Sequence, residues 1–85
     1  MKLINVGFNN MICADKVVAL VSFDSAPSKR LVQDSKDNGR AIDCTGGKKT
    51  RSVIVTDSGH VILSSLETEK IAKRVSDEET EDEDE

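Results

Sequence analysis

The chain has 85 residues and a formal net charge of −4, enough for one small core and too little for two. The net figure hides an asymmetry: residues 77–85 hold 8 of the 16 acidic side chains, so residues 1–76 keep 12 basic against 8 acidic groups (+4) beside a tail of −8. The longest apolar runs, such as residues 17–21, fall far short of the roughly 20 residues of a membrane span, and the opening Met1-Lys2-Leu3-Ile4-Asn5-Val6-Gly7 lacks the pattern of a signal peptide.

In chain order, residues 2–8 are rich in strand formers and end at Asn9-Asn10, a turn signal. Met11-Ile12-Cys13 is a second short apolar run. Residues 17–23 form the most strand-like segment of the chain, separated from the previous run by a bulge or a break at 14–16. Ser25-Ala26-Pro27 reads as a helix start: Ser25 caps the free N–H groups, and proline is tolerated in the first turn because its missing donor has no partner there. Gly39 supplies the left-handed residue that ends a helix over about 26–38. Its apolar side is narrow, with Ala26, the Arg30 stem, Leu31 and Ser35. Residues 40–44 are a short extended piece. Thr45-Gly46-Gly47 is a flexible loop before Lys48-Lys49-Thr50-Arg51. Residues 52–56 and 60–65 are two strands joined by Asp57-Ser58-Gly59. Ile71, Ala72 and Val75 fit a short amphipathic C-terminal helix. From Ser76 onward no apolar residue occurs, so residues 77–85 are expected to form a disordered acidic tail.

This order predicts an α+β domain over 1–76: a small, mostly antiparallel sheet with one central helix and a short C-terminal helix. Residues 17–21 and 53–55 are apolar at successive positions, so both sheet faces should be covered. A polar-surfaced helix and a short second helix leave apolar sheet surface over, and exposed apolar surface calls for a partner. A homo-oligomer is the expectation.

The strongest chemical signal is Thr45-Gly46-Gly47-Lys48-Lys49-Thr50-Arg51. Two glycines let the backbone approach a surface closely, and three cations within four residues suit phosphate oxygens. The competing reading is a solvated turn with ordinary surface lysines. It is not a phosphate-binding P-loop. Glycine would be needed where Ile42 stands and Ser or Thr where Lys49 stands, and the following segment reads as a strand rather than a helix. Lys16, just before a buried strand, is a second candidate cation, though an edge lysine also discourages sheet aggregation. Lys29 and Arg30 oppose the dipole of the helix they begin.

No catalytic set emerges. His60 is the only histidine, and with Cys13 and Cys44 it makes at most a poor three-ligand group, so no metal and no cofactor are expected. Two cysteines outside any CxxC pair read as reduced thiols of a cytoplasmic protein. With two phenylalanines and no Tyr or Trp, stacking of single-stranded bases is disfavoured, and Phe8 and Phe23 are expected in the core.

Four blocks carry a resemblance: Lys-Leu-Ile-Asn-Val-Gly-Phe-x-Asn (2–10), Val-Ser-x-Asp-Ser-Ala-Pro-x-Lys-Arg (21–30), Ile-Asp-x-Thr-x-Gly-basic-basic-Thr-Arg (42–51) and Asp-Ser-x-His-Val-Ile-Leu-Ser (57–64). In this order and spacing they resemble the RemA family, bacterial regulators of the extracellular matrix, over about residues 2–75. The resemblance implies a DNA-binding transcription regulator of biofilm matrix genes that assembles as a ring-like homo-oligomer with double-stranded DNA around its rim. It also implies that Lys16, Lys48 and Lys49 contact DNA. Arg51 completes the basic run read from the residues themselves. Lysine stands at positions where the family pattern has arginine. It still neutralises phosphate but lacks the guanidinium fork, which bears on selectivity more than on binding. The acidic tail is not part of the family pattern. It could compete with DNA for the basic rim or serve only solubility. The alternative to a regulator is a non-catalytic oligomeric scaffold or protein-interaction module that binds no nucleic acid.

Overall fold

The computed structural model describes residues 1–76, so the expected disordered acidic tail, residues 77–85, lies outside the described residues. The chain begins with a hairpin of β1 (Leu3–Asn5) and β2 (Met11–Cys13), paired antiparallel with Ile4 opposite Ile12. One 3₁₀ turn, Ala14–Lys16, separates β2 from β3 (Val17–Ser22), and a register shift follows between Val17 and Ala19. The polar interruption at 14–16 is therefore a turn, with the bulge just after it.

Helix α1 (Ala26–Asp37) starts where the capping chemistry places it. The Ser25 hydroxyl accepts from the Ser28 amide at 3.3 Å, and the Ser28 hydroxyl donates to the Ser22 carbonyl at 2.7 Å, tying the helix start to the end of β3. The buried side of α1 is Ser28, Val32 and Ser35, with Leu31 half-buried and Ala26 and Arg30 exposed. Of the expected side, Ser35 is buried and Leu31 half-buried, while Ala26 and Arg30 turn outward because Val32 packs against β5 and β6. Then come β4 (Ala41–Asp43), β5 (Ser52–Thr56), β6 (Val61–Ser64) and α2 (Thr68–Val75).

The main sheet has the order β3-β5-β6-β4. β3–β5 and β5–β6 are antiparallel, while β4 runs parallel to β6 with Ile42 beside Ile62. The architecture is α+β with mixed pairing, antiparallel apart from that one edge.

The consecutive apolar residues of β5 and β6 are explained by burial on both faces, since successive strand residues point to opposite sides. On one face Val53, Val61 and Leu63 pack with Val32 of α1, flanked by Val21, Phe23 and Leu31. On the other, Ile54 and Ile62 pack with Ile4, Val6, Cys44 and Ile71, supplied by the first hairpin and α2. The two helices are thus not the sheet's only cover: the β1–β2 hairpin supplies much of the second face. Side chains such as Ile54 and Ile71, with no accessible surface, each contribute about 1.5–3 kcal/mol of burial. Cross-strand partners Ser52 and Ser64 are also fully buried. Their hydroxyls donate to the carbonyls of Leu66 (2.6 Å) and Val6 (2.7 Å), which satisfies the buried polar groups and joins sheet to hairpin. Apolar surface does remain at the edges: Val18 on β3 is 65% exposed and Ile42 on β4 is 45% exposed.

Candidate nucleic-acid interface

The basic run lies in the connection from β4 to β5, and the residues before it shape that connection. The Asp43 carboxylate accepts from the Thr45 amide (2.9 Å) and the Thr45 hydroxyl (2.6 Å). The Thr45 hydroxyl in turn accepts from the Gly47 amide at 3.3 Å, and its carbonyl from the Lys48 amide at 3.1 Å. This is the local side-chain turn that Asp favours. The two Thr45 hydrogen bonds hold the Asp43 carboxyl below the usual carboxylate range, opposed by partial burial and helped by the charge of Lys36. Asp43 is therefore a charged staple of the loop.

Gly46 and Gly47 take left-handed backbone angles, φ +65° and +86°. At Gly46 there is a second constraint. A Cβ there would lie 2.6 Å from the nearest ring carbon of Phe8, so only glycine lets the loop rest on that ring. The Lys48 ammonium stands 5.7 Å from the centroid of the same ring, within cation–π range. The far end of the run is fixed by main-chain bonds. The Arg51 amide donates to the Ser64 carbonyl (2.8 Å), and the Arg51 carbonyl accepts from the Phe23 amide (3.1 Å).

Two grooves adjoin this strip and share Lys49 and Arg51. One, of about 350 Å³, has Phe8, Lys48 and Leu66 in its wall. The other, of about 540 Å³, has Phe23, Lys29 and the start of α2, with the acids Asp24, Glu67 and Glu69 also in its wall. Lys29, whose position in the first turn of α1 works against the helix dipole, has its ammonium 6.0 Å from the Phe23 ring centroid. The only described acid within ion-pair reach of the strip's cations is Glu67, whose carboxylate lies 4.0 Å from the Arg51 guanidinium. An exposed pair at this distance leaves most of the charge available.

Of the four cations singled out in the sequence, the structure brings together Lys48, Lys49 and Arg51. Lys16 lies elsewhere. Register pairs Val17 with Thr56 and Ser22 with Ser52, so Lys16 stands at the opposite end of β5 from Arg51, about 17 Å away along a five-residue strand. There its ammonium is 3.9 Å from the Asp57 carboxylate.

Of the two aromatic residues expected in the core, Phe23 packs against it and Phe8 does not. Phe8 is 42% exposed, and Phe23 is half-buried with part of its surface in a groove wall. A signal was present for Phe8, which falls inside the Gly7–Asn10 turn and not within a strand. For Lys29 the signal was its place in the first turn of α1, against the helix dipole; none marks Phe23.

His60 belongs to the turn after β5, with its Nδ1 2.7 Å from the Ser58 hydroxyl. Cys44 is buried and Cys13 half-buried, both as free thiols. Burial pushes the Cys44 thiol up, with Asp43 adding to the effect, so it resists ionisation. Among the described residues no three His, Cys, Asp or Glu come together as a metal-binding group, and no helix is long and apolar enough to cross a membrane.

Comparison with known proteins agrees with the sequence blocks. The family model described as RemA-like, extracellular matrix regulatory protein A-like, matches residues 3–75. The chain belongs to the RemA-like family. Among its RemA-like relatives is a protein of Acetivibrio thermocellus, 49% identical over 82 residues, spanning 96% of this chain and 88% of its own length. A relative in Geobacillus thermodenitrificans is 51% identical over 75 residues, with 88% and 86% covered. One in Clostridium perfringens is 53% identical over 78 residues, with 92% and 88% covered. All three bear the provisional name regulatory protein. The RemA-like match includes the hairpin that carries Phe8 and the whole glycine loop, so the strip described above lies inside the family's own domain.

Proposed function

We propose that this RemA-like chain is a DNA-binding transcription regulator of extracellular matrix genes. It acts in the cytoplasm as a ring-like homo-oligomer, by binding and not by catalysis. The observation that carries the reading is the Lys48–Arg51 strip, with three cations on a loop held by Asp43, Thr45 and Phe8 and one acid, Glu67, at the edge of ion-pair range of Arg51. The family's description supplies the regulatory context.

One strip of this size meets few phosphates. Repetition around a ring multiplies the contacts, so affinity comes from multivalency and counterion release without a reading helix. Lysines at the rim favour phosphate neutralisation over base readout, which suits repeated or bendable sites more than a sharp consensus. The sheet supports assembly through its edges: β3 and β4 are both unpaired on their outer sides, and each exposes an apolar residue, Val18 and Ile42. Contact between unlike edges is heterologous and closes as a ring when the rotation allows. Lys16, beside the β3 edge, would join a rim only through such an assembly.

The test is a titration with duplex DNA at two salt concentrations, alongside light scattering. The parent should form a large oligomer, and its log affinity should fall linearly with log salt. The Lys48→Ala, Lys49→Ala double variant should keep the oligomer and lose at least about tenfold in affinity. Duplex binding equal to the parent's in the double variant would remove the strip from the mechanism. An intact oligomer with no duplex binding at low salt would leave the scaffold reading.

A further inference from the structure

With two phenylalanines and no Tyr or Trp, the chain has few rings to offer a base, but one of the two, Phe8, is 42% exposed and not in the core. Phe8 sits in the turn between β1 and β2 in the left-handed region (φ +53°), followed by Asn9 at +64°. A bulky residue held there carries backbone strain that the surroundings must over-determine. They do so through the turn's own hydrogen bonds. The Asn5 carboxamide oxygen accepts from the Gly7 amide (2.7 Å), the Gly7 carbonyl from the Asn10 side-chain and main-chain amides (both 2.9 Å), and the Asn10 carbonyl from the Val6 amide (2.8 Å). The result is a side chain partly open to solvent, with the Gly46 backbone against its ring and the Lys48 ammonium over it at 5.7 Å, a distance from which a long side chain can swing aside for a base. On the other side of Lys49 and Arg51, Phe23 and Lys29 repeat the pairing of ring and cation.

We infer that this strip also binds unpaired nucleotides. A base stacks on the exposed Phe8 ring, Lys48, Lys49 and Arg51 hold the flanking phosphates, and the Phe23–Lys29 groove receives the next part of the strand. The chemistry that fits is a polyanion with flat apolar groups between its charges, because phosphate alone leaves the two rings unused. Stacking on an aromatic ring is tolerant of sequence, since every base has a π-face. This inference shares its cations with the duplex reading but does not depend on it.

The test uses the full chain with short oligothymidylate, oligouridylate and a duplex of matched length, at low salt. Either single strand should bind, the pair of arms separating DNA from RNA. The variant Phe8→Leu keeps apolar packing against Gly46 but has no π-face. It should lose about tenfold for the single strand, several-fold more than any loss for the duplex, which it touches only through the loop it supports. Independently of any variant, the Phe8 ring-proton resonances of the parent should move upfield when the single strand is added, as stacking requires. The inference is overturned if neither single strand binds. It is also overturned if the ring resonances stay in place, or if Phe8→Leu loses single strand and duplex by the same factor, which would make Phe8 only a support for the loop. Single-strand binding with no duplex binding would sustain this inference while removing the previous one.

Discussion

The two ends of β5 carry the same ingredients and use them differently. Before β5 lies a glycine loop with Lys48, Lys49 and Arg51. After it lies the Asp57–Gly59 turn, with Lys16 beside it. At the second end the cation is matched by the Asp57 carboxylate at 3.9 Å, and the turn is closed on itself by Thr56, Ser58 and His60. At the first end Asp43 is occupied by Thr45, Arg51 has the Glu67 carboxylate at 4.0 Å, and Lys48 stands over the Phe8 ring, so three cations share one paired acid. A cation next to an acid is a solvated pair of small consequence. Cations whose local acids are already engaged keep their field for a partner. The difference is one of cation density: three cations before β5 and one after it.

The comparison can be broken at its shared support first. Ile54 lies in the middle of β5 with no accessible surface, and Ile54→Ala should cost about 2–5 kcal/mol in denaturant unfolding, affecting both ends alike. Next in size is the glycine loop. Gly46→Ala places a Cβ against the Phe8 ring at 2.6 Å in left-handed backbone. It should cost about 1–3 kcal/mol of stability and weaken duplex binding, whereas Gly59→Ala at the other turn meets only the end of the mobile Arg40 side chain at 3.2 Å, besides its own positive φ.

The charges give smaller effects. In salt titrations, removing Lys48 and Lys49 together should lower the log–log slope by about 1.8 per contacting subunit. Lys16→Ala should lower it by no more than about 0.9, and Asp57→Asn should strengthen binding slightly by freeing Lys16.

The smallest effect is at acid pH. The folded-state pKa of Asp43 is depressed, so the carboxylate's contribution to stability is fully present above its unfolded value of about 3.9. That contribution is lost as pH falls from there through the lowered folded value. Denaturant midpoints measured from pH 5 downward should therefore decline less steeply in Asp43→Asn than in the parent.

Much of the fold could be read locally. Ser25 and Pro27 start α1, the β-branched run of residues 52–56 gives β5, and the glycine pair with its following cations marks the loop before it. These signals act within a few residues, through capping, φ preference and strand propensity. The covering of the second sheet face was not legible, because Ile4 and Val6 reach Ile54 and Ile62 only after the chain has crossed the sheet. Nor was the parallel placement of β4 beside β6, which depends on α1 returning the chain to the far edge.

The sequence by itself determined the charge division, the loop chemistry and, through its four blocks, the family. Tertiary structure alone decided which groups share a surface. It set Phe8 against Gly46, 38 positions away, placed Phe23 beside Lys29 over the second groove, and sent Lys16 to the opposite end of β5. The physical reason is that strand register and crossover fix such neighbours, and a long-range contact leaves no periodic trace at either of its positions.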